Sequence, residues 1–351
     1  MAGILSSLVG SGPLPTWALV LLNLIVAYTT IILVLPRLLP RLGRLLGPSK
    51  PIPVSVNYFF SRKCNKTCGF CFHTAKTSYV LPQPAAHRGL RLLREAGMQK
   101  LNIAGGEPFL YPKFLGALVR YCKESLRLES VSIVTNGSKV TERWLAQWGR
   151  YVDVLAVSCD SMDEATNVAI GRGDGNNVAQ LFRIRDWCRK YGIKFKLNTV
   201  VCRLNYDEDM AATVRELAPF RWKVFQVLMV KGENDSPETL RDVRQWEISD
   251  AEFEVFCGRH RDVPGFIPES NRVMASSYLL VDEYMRFMDK GSGVMKESES
   301  ILDVGVEKAL SQVRWDVDAF NERGGVYDWS KEMSTDKPGC AELAETGALE
   351  W

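Results

Sequence analysis

Residues 61–76 read SRKCNKTCGFCFHTAK, and the reading of its three cysteines decides how the rest of the chain is understood. Cys64, Cys68 and Cys71 form a C-x3-C-x2-C run, with His73 two places on. Zinc held by three thiolates and an imidazole is chemically reasonable. Yet Cys71 and His73 are one residue apart, cramped for two ligands of one tetrahedral ion, and no second hook of cysteines follows. Buried structural cysteines fit poorly beside Lys63, Asn65, Lys66 and Thr67, which make this a polar loop. An iron–sulfur cluster is favoured: three thiolates leave one iron of a cubane without a protein ligand, open to a small molecule.

The chain has 351 residues, 46% of them hydrophobic, ample for a sizeable core. A net charge of +3 and no long basic run in the body argue against nucleic-acid binding through a broad charged surface. Of nine cysteines, the six outside the run are scattered singly, so a secreted disulfide framework is disfavoured and reduced thiols in a cytosol-facing protein are preferred.

Residues 17–35, WALVLLNLIVAYTTIILVL, contain no charge and approach the length that crosses a bilayer. Arg37, Arg41, Arg44 and Lys50 follow, so the body is expected on the cytosolic side. Basic residues on the wrong side argue against a cleaved signal peptide. An in-plane amphipathic helix remains the alternative, since Asn23, Thr29 and Thr30 add polarity and 38–46 mixes Arg with Leu. The expectation is a membrane anchor over 1–46 and a linker over 47–53.

From residue 54 short β-rich runs alternate with helical patterns. Strands are predicted at 54–59, 100–104, 130–135, 153–158, 194–201 and 222–229. Helices are predicted at 84–96, 112–125, 141–149, 177–191 and 206–217. Such a succession argues an α/β fold with a parallel sheet, open or curled into a partial barrel, with the active site at the carboxyl ends of the strands. Four successive strands lead to the cysteine run, to Gly105-Gly106-Glu107-Pro108, to Thr135-Asn136-Gly137-Ser138 and to Ser158-Cys159-Asp160-Ser161. Any one of these tetrapeptides alone would be an ordinary turn. Four in register point to a site.

A C-x3-C-x2-C run with Phe70 before its last cysteine, following a first strand, resembles the signature of the radical S-adenosylmethionine enzymes. Gly105-Gly106-Glu107-Pro108 resembles that family's second motif, in which backbone and carboxylate contact the cofactor's amino group. Glycines allow close backbone approach and a carboxylate accepts from an ammonium. Longer stretches, among them GGEPFL, VSIVTNGS, IGRG, RWKVFQ, PESN, SYLLVDEYMRF, SILDVGV and RGGVYDWSK, are similar to the viperin-like nucleotide dehydratases within that family. This resemblance runs from about residue 55 to 331. It implies a partial (β/α)6 barrel over 54–260, a C-terminal extension over 261–332 that closes the nucleotide site, and a flexible tail over 333–351.

The resemblance further implies a [4Fe–4S] cluster on Cys64, Cys68 and Cys71. Gly105, Gly106, Glu107, Asn136, Ser158 and Arg172 would contact S-adenosylmethionine. The implied reaction uses a 5′-deoxyadenosyl radical to abstract the 4′-hydrogen of CTP, with loss of water giving 3′-deoxy-3′,4′-didehydro-CTP, a chain terminator in antiviral defence. UTP or another nucleoside triphosphate is the alternative within the same chemistry. A membrane-associated interaction protein with a structural cluster is the alternative outside it. An electron donor, and cytosolic iron–sulfur delivery machinery reading Trp351, are implied partners. The implied location is the cytosolic face of the endoplasmic reticulum or of lipid droplets.

Read from the residues, Lys196 and Asn198 share one face of a strand, and Arg221 and Lys223 share a face of the next. Facing inward, they would make the barrel interior basic, and buried cations require anions such as a triphosphate. Facing outward, they would be ordinary solvated strand-end residues. The resemblance favours the first reading and adds Asn57 and Arg323 as nucleotide contacts, with Tyr278 returning a hydrogen atom to the substrate. Where animal relatives carry a lysine before Ser-Ile-Leu-Asp-Val-Gly, this chain has Glu299, expected to weaken or alter triphosphate binding.

Overall fold

The computed structural model describes residues 52–290 and 296–331, together with residues 24 and 28–30. The anchor over 17–35 therefore lies outside the described residues apart from those few helical positions, and the tail over 333–351 lies outside them entirely. Among the described residues no helix is long and apolar enough to cross a membrane. The chain divides into two compact units, Met1–Pro51 and Ile52–Trp351, and the second carries the fold described below.

Six parallel strands form where the alternation places them: β1 Ser55–Phe59, β2 Lys100–Ala104, β3 Ser130–Thr135, β4 Val154–Ser158, β5 Lys194–Val201 and β6 Arg221–Gln226. Between them run the helices α1 Gln83–Glu95, α2 Pro112–Arg120, α3 Glu142–Trp148, α4 Glu164–Ile170, α5 Asn177–Lys190 and α6 Ala211–Leu217. The predicted helix over 206–217 begins later than expected, because Asn205 and its neighbours form a turn against Cys202. Helix α4 escaped prediction, although Asp163 caps it by accepting from Thr166 N and Gly171 closes it at φ 82°.

The sheet is wider than six strands. β7 Phe266–Glu269 pairs parallel to β6, and β8 Leu280–Val281 pairs parallel to β1. β9 Arg286–Asp289 and β10 Lys296–Ser300 add antiparallel pairs beyond β8. Further helices are α7 Asp250–His260, α8 Asn271–Ser277, α9 Ile301–Val304, α10 Val306–Leu310 and α11 Val317–Glu322. The extra strands lack the pattern that marks a strand: β7 contains Pro268, β8 has two residues, and β10 reads KESES.

Burial along β5 alternates strictly, whereas its neighbours β4 and β6 are buried at nearly every position. Val56 and Tyr58, Leu101 and Ile103, Ile133, Leu155, Leu197 and Trp222 are buried in the apolar core with Leu90, Leu118, Leu145, Ile184, Val214 and Phe256 of the helices. The intervening residues face an internal cavity. Lys223 Nζ on β6 lies 3.0 Å from Tyr278 Oη, two residues before β8. Those strands are six places apart in the sheet, about 29 Å if it were flat. The sheet therefore curls, and its two edges face each other across the cavity.

The segment after α11 covers the amino ends of the strands. Trp329 is 1% exposed, its carbonyl accepts from Ser130 Oγ at 3.0 Å, and Lys194 pairs with Asp328 at 2.9 Å. Lys100 donates to Tyr327 Oη at 2.6 Å and sits over the Trp329 ring. This floor is built from the RGGVYDWSK stretch, where Gly324 at φ 65° makes the turn.

Candidate active site

A cavity of about 320 Å³ opens at the carboxyl ends of the strands, within the usual size of small-molecule sites. Cys64, Cys68 and Cys71 line it together with Gly105, Gly106, Asn136, Ser158, Arg172, Asn57, Lys196, Asn198, Lys223, Tyr278 and Arg323. Most of the predicted site residues thus meet in one space. Glu107 and Arg221 are the two that do not line it.

Two loops clamp the cysteine loop. Gly106 N donates to Ser61 O at 2.7 Å and Glu107 N to Lys63 O at 2.9 Å. A Cβ on Gly106 would sit 2.0 Å from Lys63 O, and one on Gly105 would sit 2.4 Å from Ser61 O. These glycines are required by close approach to residues 61–63, an additional reason beyond approach to a cofactor. On the other side Thr67 N donates to Gly171 O and Gly69 N to Ile170 O, both at 3.0 Å.

The Glu107 carboxylate is engaged by protein donors. It is fully buried and accepts from Phe109 N, Thr135 Oγ1 and Asn136 N at 2.9, 2.7 and 2.7 Å. Burial pushes this carboxyl up, and those three donors oppose the shift. These bonds tie Glu107 to the loop that carries Asn136. Asn136 Nδ2 in turn donates to Asn65 Oδ1 at 3.0 Å and reaches Cys64 Sγ at 3.8 Å.

Burial raises all three thiols, that of Cys68 to about 12, while Arg172 beside Cys68 and Cys71 works in the opposite direction. Neutral thiols are therefore favoured until a metal binds, and cationic iron would convert them to thiolates. Lys66 N and Asn136 Nδ2 both donate to Cys64 Sγ, which suits a metal-bound sulfur. Among the described residues no three His, Cys, Asp or Glu side chains converge on a single metal ion. His73 packs edge-on against Phe59 with ring centroids 4.6 Å apart, and Cys71 Sγ donates to its backbone carbonyl instead of meeting its ring. The donor set fits a cuboidal cluster with three protein ligands.

Deeper in the cavity the wall is basic. Over the cavity as a whole eight Lys and Arg side chains face one carboxylate, Asp160, which already receives Arg172 Nε at 2.6 Å. Burial lowers Lys196 to about 7 and Lys223 to about 8. Lys223 pairs with Glu269, and Tyr278 Oη donates to the same carboxylate at 2.5 Å. Burial would raise Glu269, but Lys223 and Arg323 hold its carboxyl below the usual range. Arg323 lies 3.9 Å above the Tyr278 ring and donates to Ser277 O at 3.2 Å. Asn57 accepts from Asn102 at 3.0 Å and donates to Leu279 O.

Arg221 is 2% exposed, but the Tyr327 ring covers its guanidinium at 3.8 Å and separates it from the cavity. Glu299 likewise sits elsewhere than expected. It lies on the exposed face of the β9–β10 hairpin, accepting from Gln312 at 2.7 Å and pairing with Lys308 at 3.2 Å. Sequence reasoning missed Lys100, Asn102, Lys290 and Tyr327 as lining residues, and Glu269 as the acid that orders the basic wall. Lys100 and Asn102 were legible, since they share the inward face of a predicted strand. Lys290 and Tyr327 lie in segments without a period.

The residues 58–217 match the model of the Radical SAM superfamily. A protein of Siniperca chuatsi named S-adenosylmethionine-dependent nucleotide dehydratase RSAD2 is 54% identical over 283 residues, 80% of this chain and 80% of that one. A protein of the same name from Oncorhynchus mykiss is 50% identical over 300 residues, 84% of this chain and 86% of its own length. The chain belongs to the viperin-like S-adenosylmethionine-dependent nucleotide dehydratases. Solved structures with the same fold include Streptococcus suis SuiB bound to S-adenosylmethionine, with a TM-score of 0.54 and 18% identity over 67% of this chain and 60% of that one. A second is anSMEcpe with bound AdoMet, with a TM-score of 0.57 and 14% identity over 77% of this chain and 79% of that one. As a radical S-adenosylmethionine enzyme, this dehydratase has a [4Fe–4S] cluster and S-adenosylmethionine as its cofactors, and a nucleotide is its substrate.

Proposed function

We propose that this dehydratase acts on CTP, converting it to 3′-deoxy-3′,4′-didehydro-CTP, which terminates viral RNA chains. The carrying observation is that one cavity, lined in all by eight basic side chains and one carboxylate, joins the cysteine loop to Lys100, Lys196, Lys223, Lys290 and Arg323. A triphosphate supplies the anions this wall lacks. The cluster and S-adenosylmethionine would supply the 5′-deoxyadenosyl radical that takes the 4′-hydrogen. Cys64, Cys68 and Cys71 hold the cluster in this reading, while Gly105, Gly106, Asn136, Ser158 and Arg172 surround S-adenosylmethionine.

Lys196, Lys223 and Arg323 bind phosphate oxygens, and Asn57 and Asn198 orient the nucleoside from the adjoining strands. Arg221 acts through Tyr327, holding the floor beneath the nucleotide. Tyr278 gives a hydrogen atom to the dehydrated substrate radical, and an electron and a proton from the external donor restore it. Lys223 and Glu269 fix that hydroxyl at the cavity wall.

The base assignment follows the resemblance to animal relatives. It is tested with anaerobically reconstituted protein given CTP, UTP, GTP or ATP separately. CTP should give 5′-deoxyadenosine and the didehydro product fastest. A faster reaction with UTP would reassign the substrate, and no nucleotide-dependent cleavage with any of the four would point to a structural cluster in an interaction protein.

We also assign attachment to the cytosolic face of the endoplasmic reticulum or of lipid droplets through residues 17–35, supported by their uncharged length and the arginines that follow. Trp351 is assigned to recognition by the iron–sulfur delivery machinery. Removing residues 1–46 should move the protein from the membrane pellet to the supernatant. Deleting Trp351 should lower iron content in cells without lowering it after chemical reconstitution.

A further inference from the structure

We propose that Lys290 is a phosphate contact of the bound nucleotide, an assignment that rests on the nucleotide reading above. Lys290 follows β9, lines the cavity and is 9% exposed. Its ammonium lies 4.6 Å from the centroid of the Phe72 ring, beside Cys71, and 5.8 Å from that of Tyr278. It has no ion pair among the described residues. The acid that influences it, Glu269, is already engaged by Lys223, Tyr278 and Arg323. Asp289, next to it in the chain, accepts from Arg314 N.

A buried ammonium without an anion is costly, and two ring faces compensate only partly. The cost is visible in the lysine, which burial lowers to about 8. An anion entering the cavity would remove it. Lys196 and Lys223 come from β5 and β6, whereas Lys290 comes from the opposite edge of the curled sheet. A triphosphate between them would be held from both sides. Contacts from one wall alone would leave it free to pivot.

The test uses the full chain with its cluster reconstituted and measures equilibrium binding of CTP, inorganic tripolyphosphate and S-adenosylmethionine. Lys290→Met should weaken CTP and tripolyphosphate by about ten- to a hundredfold. S-adenosylmethionine should still bind within about twofold of wild type, showing that the fold is intact. Lys290→Arg should recover most of the loss, because it restores the charge. CTP affinity in Lys290→Met within about twofold of wild type would overturn the assignment. So would a comparable loss of S-adenosylmethionine binding, which would place the lysine at the cofactor. Wild-type protein that binds neither CTP nor tripolyphosphate would overturn the nucleotide reading and this contact with it.

Discussion

His73 and the three cysteines before it separate two metal chemistries. Cys68→Ala should abolish the iron chromophore after reconstitution, because Cys68 is one of three thiolates. His73→Ala should keep it, since its ring packs on Phe59 and the Cys71 thiol meets only its backbone. Loss of iron in the histidine variant, followed through visible absorbance, would restore the zinc-type geometry. Tyr278 offers a second test at this scale. With its hydroxyl held by Lys223 and Glu269, Tyr278→Phe should leave 5′-deoxyadenosine formation within about tenfold of wild type and depress product formation much further. The ratio of the two products reads this directly, and an unchanged ratio would remove Tyr278 from the reaction.

Loops and strands carry the second scale. Gly106→Ala would place a methyl group against the Lys63 carbonyl, a backbone atom that cannot swing away. The expected cost is about 1–3 kcal/mol, seen as a lower melting temperature together with reduced iron content. On strands β5 and β6, buried lysines link nucleotide binding to protons. In the free protein burial holds Lys196 near about 7 and Lys223 near about 8. A bound triphosphate favours their charged forms and raises both. Binding should therefore take up protons between roughly pH 7 and 10, and affinity should fall as pH rises through that window. Calorimetry at pH 8 in buffers of different ionisation enthalpy measures the uptake; proton release would contradict a basic binding wall.

At the scale of the molecule, the C-terminal segment both closes the barrel floor and places Arg323. Trp329→Ala should cost about 3–5 kcal/mol by opening a cavity beneath Lys100 and Tyr327. Thermal denaturation measures the loss, and at temperatures where the variant stays folded KM for the nucleotide should rise.

The sequence disclosed the six central strands and most of the inward residues, because period-two alternation and carboxyl-end loops are local signals. The cysteine spacing disclosed the metal chemistry. It did not disclose that the Glu107 carboxylate turns away from the cavity or that Tyr327 covers Arg221. Nor did it show Lys290 entering just beyond the short strand β9. Those placements depend on curling a ten-stranded sheet until β6 and β7 reach the segment before β8, a long-range outcome that no local period encodes.

The central claim is that the cysteine loop and the basic wall serve one reaction on one nucleotide. Anaerobic turnover with CTP deuterated at the 4′ position tests it most directly. Deuterium should appear in 5′-deoxyadenosine, and the label should be absent when the nucleotide is deuterated only on its base. Unlabelled 5′-deoxyadenosine formed at the same rate with and without CTP would contradict it.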